Sequence, residues 1–425
     1  MEMEHMTELT HDPSEHIRGL QQLLISDKKK IAFLFGAGTS LAKKNKDSVF
    51  VPAIEDLTQG IEEELSRNPK YKKAITEIKN EIGIDRYNIE TLLSNLEQKL
   101  EIIANGRLNE LTKDDIDSLI KDVKKQIREK VSVHKNLKKI EDIIHLEFAE
   151  WIYRADRKYP IEIFTTNYDY LFELGMEGKN VAYYDGFTGS YLPFFYSDSV
   201  EDLDYLPRQT KLWKVHGSLG WHYDKKSNKV IRKDSSEEDI LIYPSTFKYS
   251  DSKKQPYISL LDRLSNFLKQ DDVLLITCGY SFKDEHINER ILTSLNSDKK
   301  SYVVALFYDK EKEKNICFLN ENSPISQKAK SNSKLSVYGI RSAVIGCQYG
   351  KWKLKTESDI SGTLNLNLFF SEDGDDRKIE KKVEKKGEEL WTGEGELILP
   401  DFVKFVAFLK SMIIENELYQ KVEKK

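Results

Sequence analysis

The chain has 425 residues, with 39% hydrophobic and 11% aromatic side chains, enough for a sizeable core and too much for a wholly disordered polypeptide. Its 66 basic and 71 acidic residues leave a net charge of −5, mixed along the chain, which disfavours direct nucleic-acid binding. Three scattered cysteines, Cys278, Cys317 and Cys347, exclude a four-cysteine zinc site and argue against a disulfide framework, so no metal is expected. The polar start lacks the apolar core of a secretory signal, and no apolar run approaches the roughly 20 residues that span a bilayer, so a cytoplasmic protein without membrane contact is expected.

In chain order, a polar arm (1–20) gives way to an amphipathic stretch from Ile17 to Ser26. The apolar run Ile31 to Phe35 follows, closed by Gly36-Ala37-Gly38. A short continuous apolar run bounded by glycine fits a strand buried on both faces, as in a parallel sheet. Similar runs recur at Ile161 to Phe164, Leu212 to Val215, Val273 to Thr277 and Tyr302 to Phe307, with helical patterns between them. This alternation predicts an α/β fold: a doubly wound, Rossmann-like, mostly parallel sheet built from residues 21–60 and 153–348. Residues 61–152 read as a helical insertion, with Leu92, Leu93, Leu96 and Leu100 at helical spacing. Ser342 to Ile345 is expected to be the last strand of the sheet. Residues 349–425 then read as a small α/β or β-rich appendage, with a charge-dominated segment from Ser371 to Glu389 and an amphipathic helix from Phe402 to Tyr419.

Four polar loops stand at predicted strand ends, where open α/β sheets bind ligands. Gly36, Ala37, Gly38, Thr39 and Ser40 form a glycine-marked turn that lets a backbone approach pyrophosphate, although Leu41 stands where a dinucleotide fingerprint has its third glycine. In Thr165-Thr166-Asn167-Tyr168-Asp169, Asn167 and Asp169 sit two apart and point the same way on an extended segment, and the same residues suit an Asx cap for a helix near Tyr170. His216-Gly217-Ser218 offers a candidate base at a strand end. Gly279, Tyr280 and Ser281, followed by Asp284, form a second glycine-plus-hydroxyl loop. Four such loops on one sheet edge favour a nucleotide site.

In this order the segments resemble the sirtuin family, and more closely its bacterial anti-phage defence branch, whose pattern is similar to Gly36 to Ser40, Thr165 to Asp169, His216 to Ser218 and Gly279 to Ile287. Asn88 to Leu93 resembles the acidic-Leu-Leu helix of that branch. The resemblance implies that NAD⁺ is the substrate. Gly36, Ala37, Gly38 and Thr39 would hold the pyrophosphate and Ser281 a phosphate or ribose. Asn167 would hold the nicotinamide ribose or its water, Asp169 the carboxamide end, and His216 would act as base on the ribose hydroxyls. It further implies an NAD⁺ hydrolase that depletes NAD⁺ in abortive infection. Such an enzyme would work as a homo-oligomer or beside an ATPase or other phage-sensing partner. A sirtuin-type deacylase or ADP-ribosyltransferase and a nucleotide-sensing scaffold with a silent site are the alternatives. The missing zinc ribbon, and Ser48 to Ala53 without the arginine of the sirtuin loop, weigh against deacylation.

Overall fold

The computed structural model describes residues 9–155, 157–224, 226–234, 255–311, 316–356, 366–373 and 392–423. The chain divides into two compact units, one of Met1–Gly36, Glu150–Ile163 and Leu264–Lys425, the other of Ala37–Ala149 and Phe164–Arg263. The fold class is α/β with a large, mostly parallel, Rossmann-like sheet.

In the first unit the hydrogen-bonded strand order is Thr10–His11, Gln348–Trp352, Ser342–Ile345, Leu335–Tyr338, Ser301–Leu306, Val273–Cys278 and Lys30–Phe35. The last four of these run parallel, and the register sets Phe35 opposite Cys278. Ile31 to Phe35 and all of Val273–Cys278 are buried, which is why their sequences carry no alternation.

Three strands of this order were not anticipated, Thr10–His11, Leu335–Tyr338 and Gln348–Trp352. Ser342–Ile345 is not the last strand, because Gln348–Trp352 pairs antiparallel with it and parallel with Thr10–His11. The connection is a two-residue turn in which Gly346 and Cys347 both have positive φ, the conformation that matches the twist of a tight hairpin.

The terminal segment, read as an amphipathic helix from Phe402 to Tyr419, is helical from Phe402 to Glu423. Its stripe does not stand open for association: Phe402, Phe405, Val406, Leu409 and Ile413 are buried. Phe402 meets Phe35 at 5.3 Å and Phe405 meets Phe33 at 6.0 Å between ring centroids, both edge-on. This helix therefore covers the strand that leads to Gly36. Phe405→Ala should cost about 3–5 kcal/mol, read as a lowered urea midpoint, because it removes a fully buried ring. A change below 1 kcal/mol would contradict this packing. Of the charge-rich segment, residues 374–389 lie outside the described residues.

In the second unit, residues 54–131 form the helices Ile54–Leu65, Pro69–Ile82, Ile89–Ile102 and Lys113–Val131. Caps fix three of their starts: the Asn68 side chain accepts from Lys70 N at 3.0 Å, and Asn88 with Thr91 and Thr112 with Asp115 form capping boxes. Ile61, Ile78, Leu92, Leu96, Ile116 and Val123 build their common core, against which Tyr168 and Tyr170 pack. A four-stranded antiparallel sheet in the order Phe187–Thr188, Phe194–Phe195, Lys229–Arg232 and Trp221–Asp224 also lies in this unit, as does Thr210–Lys214, parallel to Tyr183–Tyr184. Among the described residues, no helix is long and apolar enough to cross a membrane.

Candidate active site

In the first unit, the strand Lys30–Phe35 delivers Gly36 against the loop that follows Val273–Cys278. Gly36 N donates to Cys278 O at 3.3 Å. A Cβ on Gly36 would lie 2.5 Å from Gly279 O and 2.8 Å from Tyr280 Cα, so no other residue fits this approach. Gly279 adopts φ +64°, a left-handed conformation that favours glycine. The Tyr280 side chain turns inward: its hydroxyl donates to Asn288 Oδ1 at 3.0 Å, and burial raises its pKa. Ser281 is exposed. The Asp284 carboxylate accepts from His286 N and Ile287 N and so caps the helix Glu285–Leu295. Cys278 is fully buried with its thiol 3.7 Å from Pro400 O, and burial holds it protonated.

In the second unit, Ala37, Gly38, Thr39 and Ser40 lie in a single turn of helix, Ala37–Leu41, with Thr39 and Ser40 buried. The two hydroxyls are knitted to the Thr165–Asp169 segment. Asn167 Nδ2 donates to Thr39 Oγ1 at 3.0 Å and to Ser40 Oγ at 2.7 Å, and Ser40 Oγ donates to Asp169 Oδ2 at 2.6 Å. Asn167 and Asp169 thus do point the same way, onto one serine. The other oxygen of Asp169 accepts from Leu171 N at 2.9 Å, the Asx turn that the sequence allowed, just ahead of the helix Leu171–Gly178. Both roles of Asp169 coexist because a carboxylate has lone pairs on two oxygens. Tyr168 Oη donates to Glu90 Oε1 at 3.3 Å, tying the Asn88 to Leu93 helix to the same segment.

His216 stands half-buried just beyond Thr210–Lys214. Main-chain bonds hold its turn beside the asparagine segment: Val215 N donates to Thr165 O at 2.9 Å and Leu219 N to Tyr168 O at 3.2 Å. Gly217 takes φ +97° and donates to Lys214 O at 3.1 Å, closing the turn. Ser218 is buried, while Trp221 and His222 belong to the small antiparallel sheet. Thr39, Ser40, Asn167, Asp169 and the His216 turn therefore lie in one unit; Gly36, Gly279, Tyr280 and Ser281 lie in the other.

Sequence reasoning missed Lys214. Its side chain is 3% exposed; its ammonium donates to Asp169 O and pairs with Glu173 Oε1 at 2.8 Å. Burial raises the Glu173 pKa against the pull of Lys214. The available signal was a lysine inside an otherwise apolar strand, Leu212 to Val215, since a buried charge requires a partner.

His145 was also passed over. It is buried, with its ring edge-on to Phe172 at 4.6 Å, and burial pushes its pKa down from 6.5 to about 4. The folded state therefore holds this ring neutral. Its stabilising contribution is complete above pH 6.5 and is lost as pH falls toward 4, about 3 kcal/mol over the whole window. Urea midpoints should fall between about pH 6.5 and pH 4.5, and His145→Gln should flatten that part of the profile. An unchanged slope in the variant would remove His145 as its source.

Residues 161–329 match the family model of the SIR2-like domain, the coarse class of NAD⁺-using domains that the motifs suggested. The matched stretch contains Asn167, Asp169, Lys214, His216 and Gly279 to Ser281 but not residues 36–40. No curated protein matches the chain. Among the described residues, no group of three or more His, Cys, Asp or Glu side chains is placed to hold a metal ion.

Proposed function

We propose that this protein is an NAD⁺ glycohydrolase that cleaves the nicotinamide–ribose bond to give nicotinamide and ADP-ribose. The observation that carries the reading is the buried Thr39–Asn167–Ser40–Asp169 network with the His216 turn hydrogen-bonded alongside it. The SIR2-like match over residues 161–329 gives that network its chemical context.

In NAD⁺ the nicotinamide is a cationic pyridinium that leaves the ribose as a neutral molecule with the bonding pair, so its departure needs no general acid. The remaining demand is to place water at an oxocarbenium-like ribose carbon and to remove a proton. The carboxamide of Asn167 is suited to orient the water or the ribose because Thr39 and Ser40 fix its rotamer. Asp169 anchors that arrangement through Ser40, and the imidazole of His216 serves as base on the ribose hydroxyls or the water. In this reading Ala37, Gly38, Thr39 and Ser40, in the second unit, belong to a pyrophosphate loop.

The biological role in this reading is depletion of cellular NAD⁺ in anti-phage defence, supported by the likeness of the four segments to that branch. Restraint in the healthy cell would come from a requirement for oligomer assembly or for a phage-sensing partner such as an ATPase. Purified protein incubated with NAD⁺ should release nicotinamide and ADP-ribose in equal amounts. Intact NAD⁺ under assembled conditions would refute the reading, and transfer to an acetylated peptide would replace it with the deacylase. An isolated protomer should turn over weakly; full, concentration-independent turnover by a monomer in sedimentation would refute control by assembly.

A further inference from the structure

We propose that Lys214 is a positioning residue of this site, registering the Asn167 segment against the His216 turn; the inference deepens the glycohydrolase reading and rests on it. Lys214 is joined to both segments by different atoms. Its carbonyl accepts from Gly217 N and closes the turn that contains His216. Its ammonium donates to the main-chain carbonyl of Asp169, two residues beyond Asn167, and to Glu173 Oε1 on the helix Leu171–Gly178. The cation also lies 5.5 Å from the centre of the Tyr170 ring. The buried side chain therefore ties the asparagine loop and the helix after it to the end of the strand that leads into the His216 turn.

The energetics favour a geometric role over a purely stabilising one. A buried ion pair gains little net stability, because desolvation offsets most of its attraction, and apolar replacements of similar volume often match it. The pair here is not even fully satisfied: Glu173 Oε2 is buried with no hydrogen-bond partner among the described residues. A fixed ammonium does supply a directional bond to one carbonyl, and so a defined separation between two loops. Catalytic groups misplaced by about an ångström lose roughly 10²-fold in rate.

The test uses the full-length protein with Lys214→Met and the double variant Lys214→Met/Glu173→Gln. The single variant strands a buried carboxylate and is expected to unfold more readily; the double variant removes both charges and should recover the wild-type melting temperature. In the double variant kcat should still fall roughly 10²-fold with KM for NAD⁺ little changed. Hydrogen exchange at Leu171 and Leu219 N–H, whose acceptors lie on the asparagine segment, should quicken while the 54–131 helices keep wild-type exchange. Wild-type kcat in the refolded double variant would overturn the proposal and reduce Lys214 to a stabilising residue. If the wild-type protein releases no nicotinamide, the glycohydrolase reading fails separately. The exchange data then still decide, since unchanged exchange at both amides overturns the positioning role and faster exchange upholds it.

Discussion

His216→Ala should lower NAD⁺ turnover by about 10²–10⁴-fold, the usual loss when a positioned base is removed, with the unfolding midpoint held near wild type. The side chain is half-buried at a turn whose shape is set by main-chain bonds from Val215, Gly217 and Leu219, none of which the substitution touches. Asn167→Ala should abolish turnover as well, but it is not silent for stability. Its amide serves two buried hydroxyl acceptors, and leaving these unserved costs about 1–3 kcal/mol. The pair of variants thus separates two kinds of loss, activity alone at His216 and activity with stability at Asn167. A folded His216→Ala protein with the wild-type rate would sink the site assignment.

The second large effect is expected at Gly36→Ala. The new methyl would meet Gly279 O at 2.5 Å and Tyr280 Cα at 2.8 Å. Both are main-chain atoms, so no side-chain rotation relieves the contact and one of two core strands must shift. Overpacking of this kind costs about 1–3 kcal/mol, and the displaced turn should lose NAD⁺ binding along with it. Gly106→Ala is the matched control, since nothing lies within 4 Å of a Cβ there. Equal melting temperatures and equal NAD⁺ affinity for the two variants would show that the close approach carries no weight.

The sequence made legible what depends on local pattern. Ile31 to Phe35 and Val273 to Cys278 announced themselves because strands buried on both faces must be apolar throughout. The insertion did so because Leu92, Leu93 and Leu96 face one helical core. Gln348–Trp352 stayed hidden: its burial runs exposed, intermediate, buried, exposed, buried rather than in strict alternation, and its turn is Gly-Cys rather than a recognisable Asn-Gly. Asn167, Asp169 and Ser40 could each be named from their loops, yet Ser40 and Asp169 are 129 positions apart, so their bond could not be read. Lys214 hid for the same reason, as its value lies in a carbonyl 45 positions away. Tyr280 shows the limit of motifs, which located the loop but not the direction of the ring.

The burial of Phe33 and Phe35 under Phe405 and Phe402 also has a bearing on biosynthesis. The strand that ends at Gly36 is made early, while the helix that covers it is translated more than 350 residues later. At about 5–20 residues per second, the ribosome leaves that strand without its cover for roughly 20–70 seconds. The Thr10–His11 strand likewise waits for Gln348–Trp352. A nascent chain therefore carries the strand before Gly36 without its covering helix through most of its synthesis.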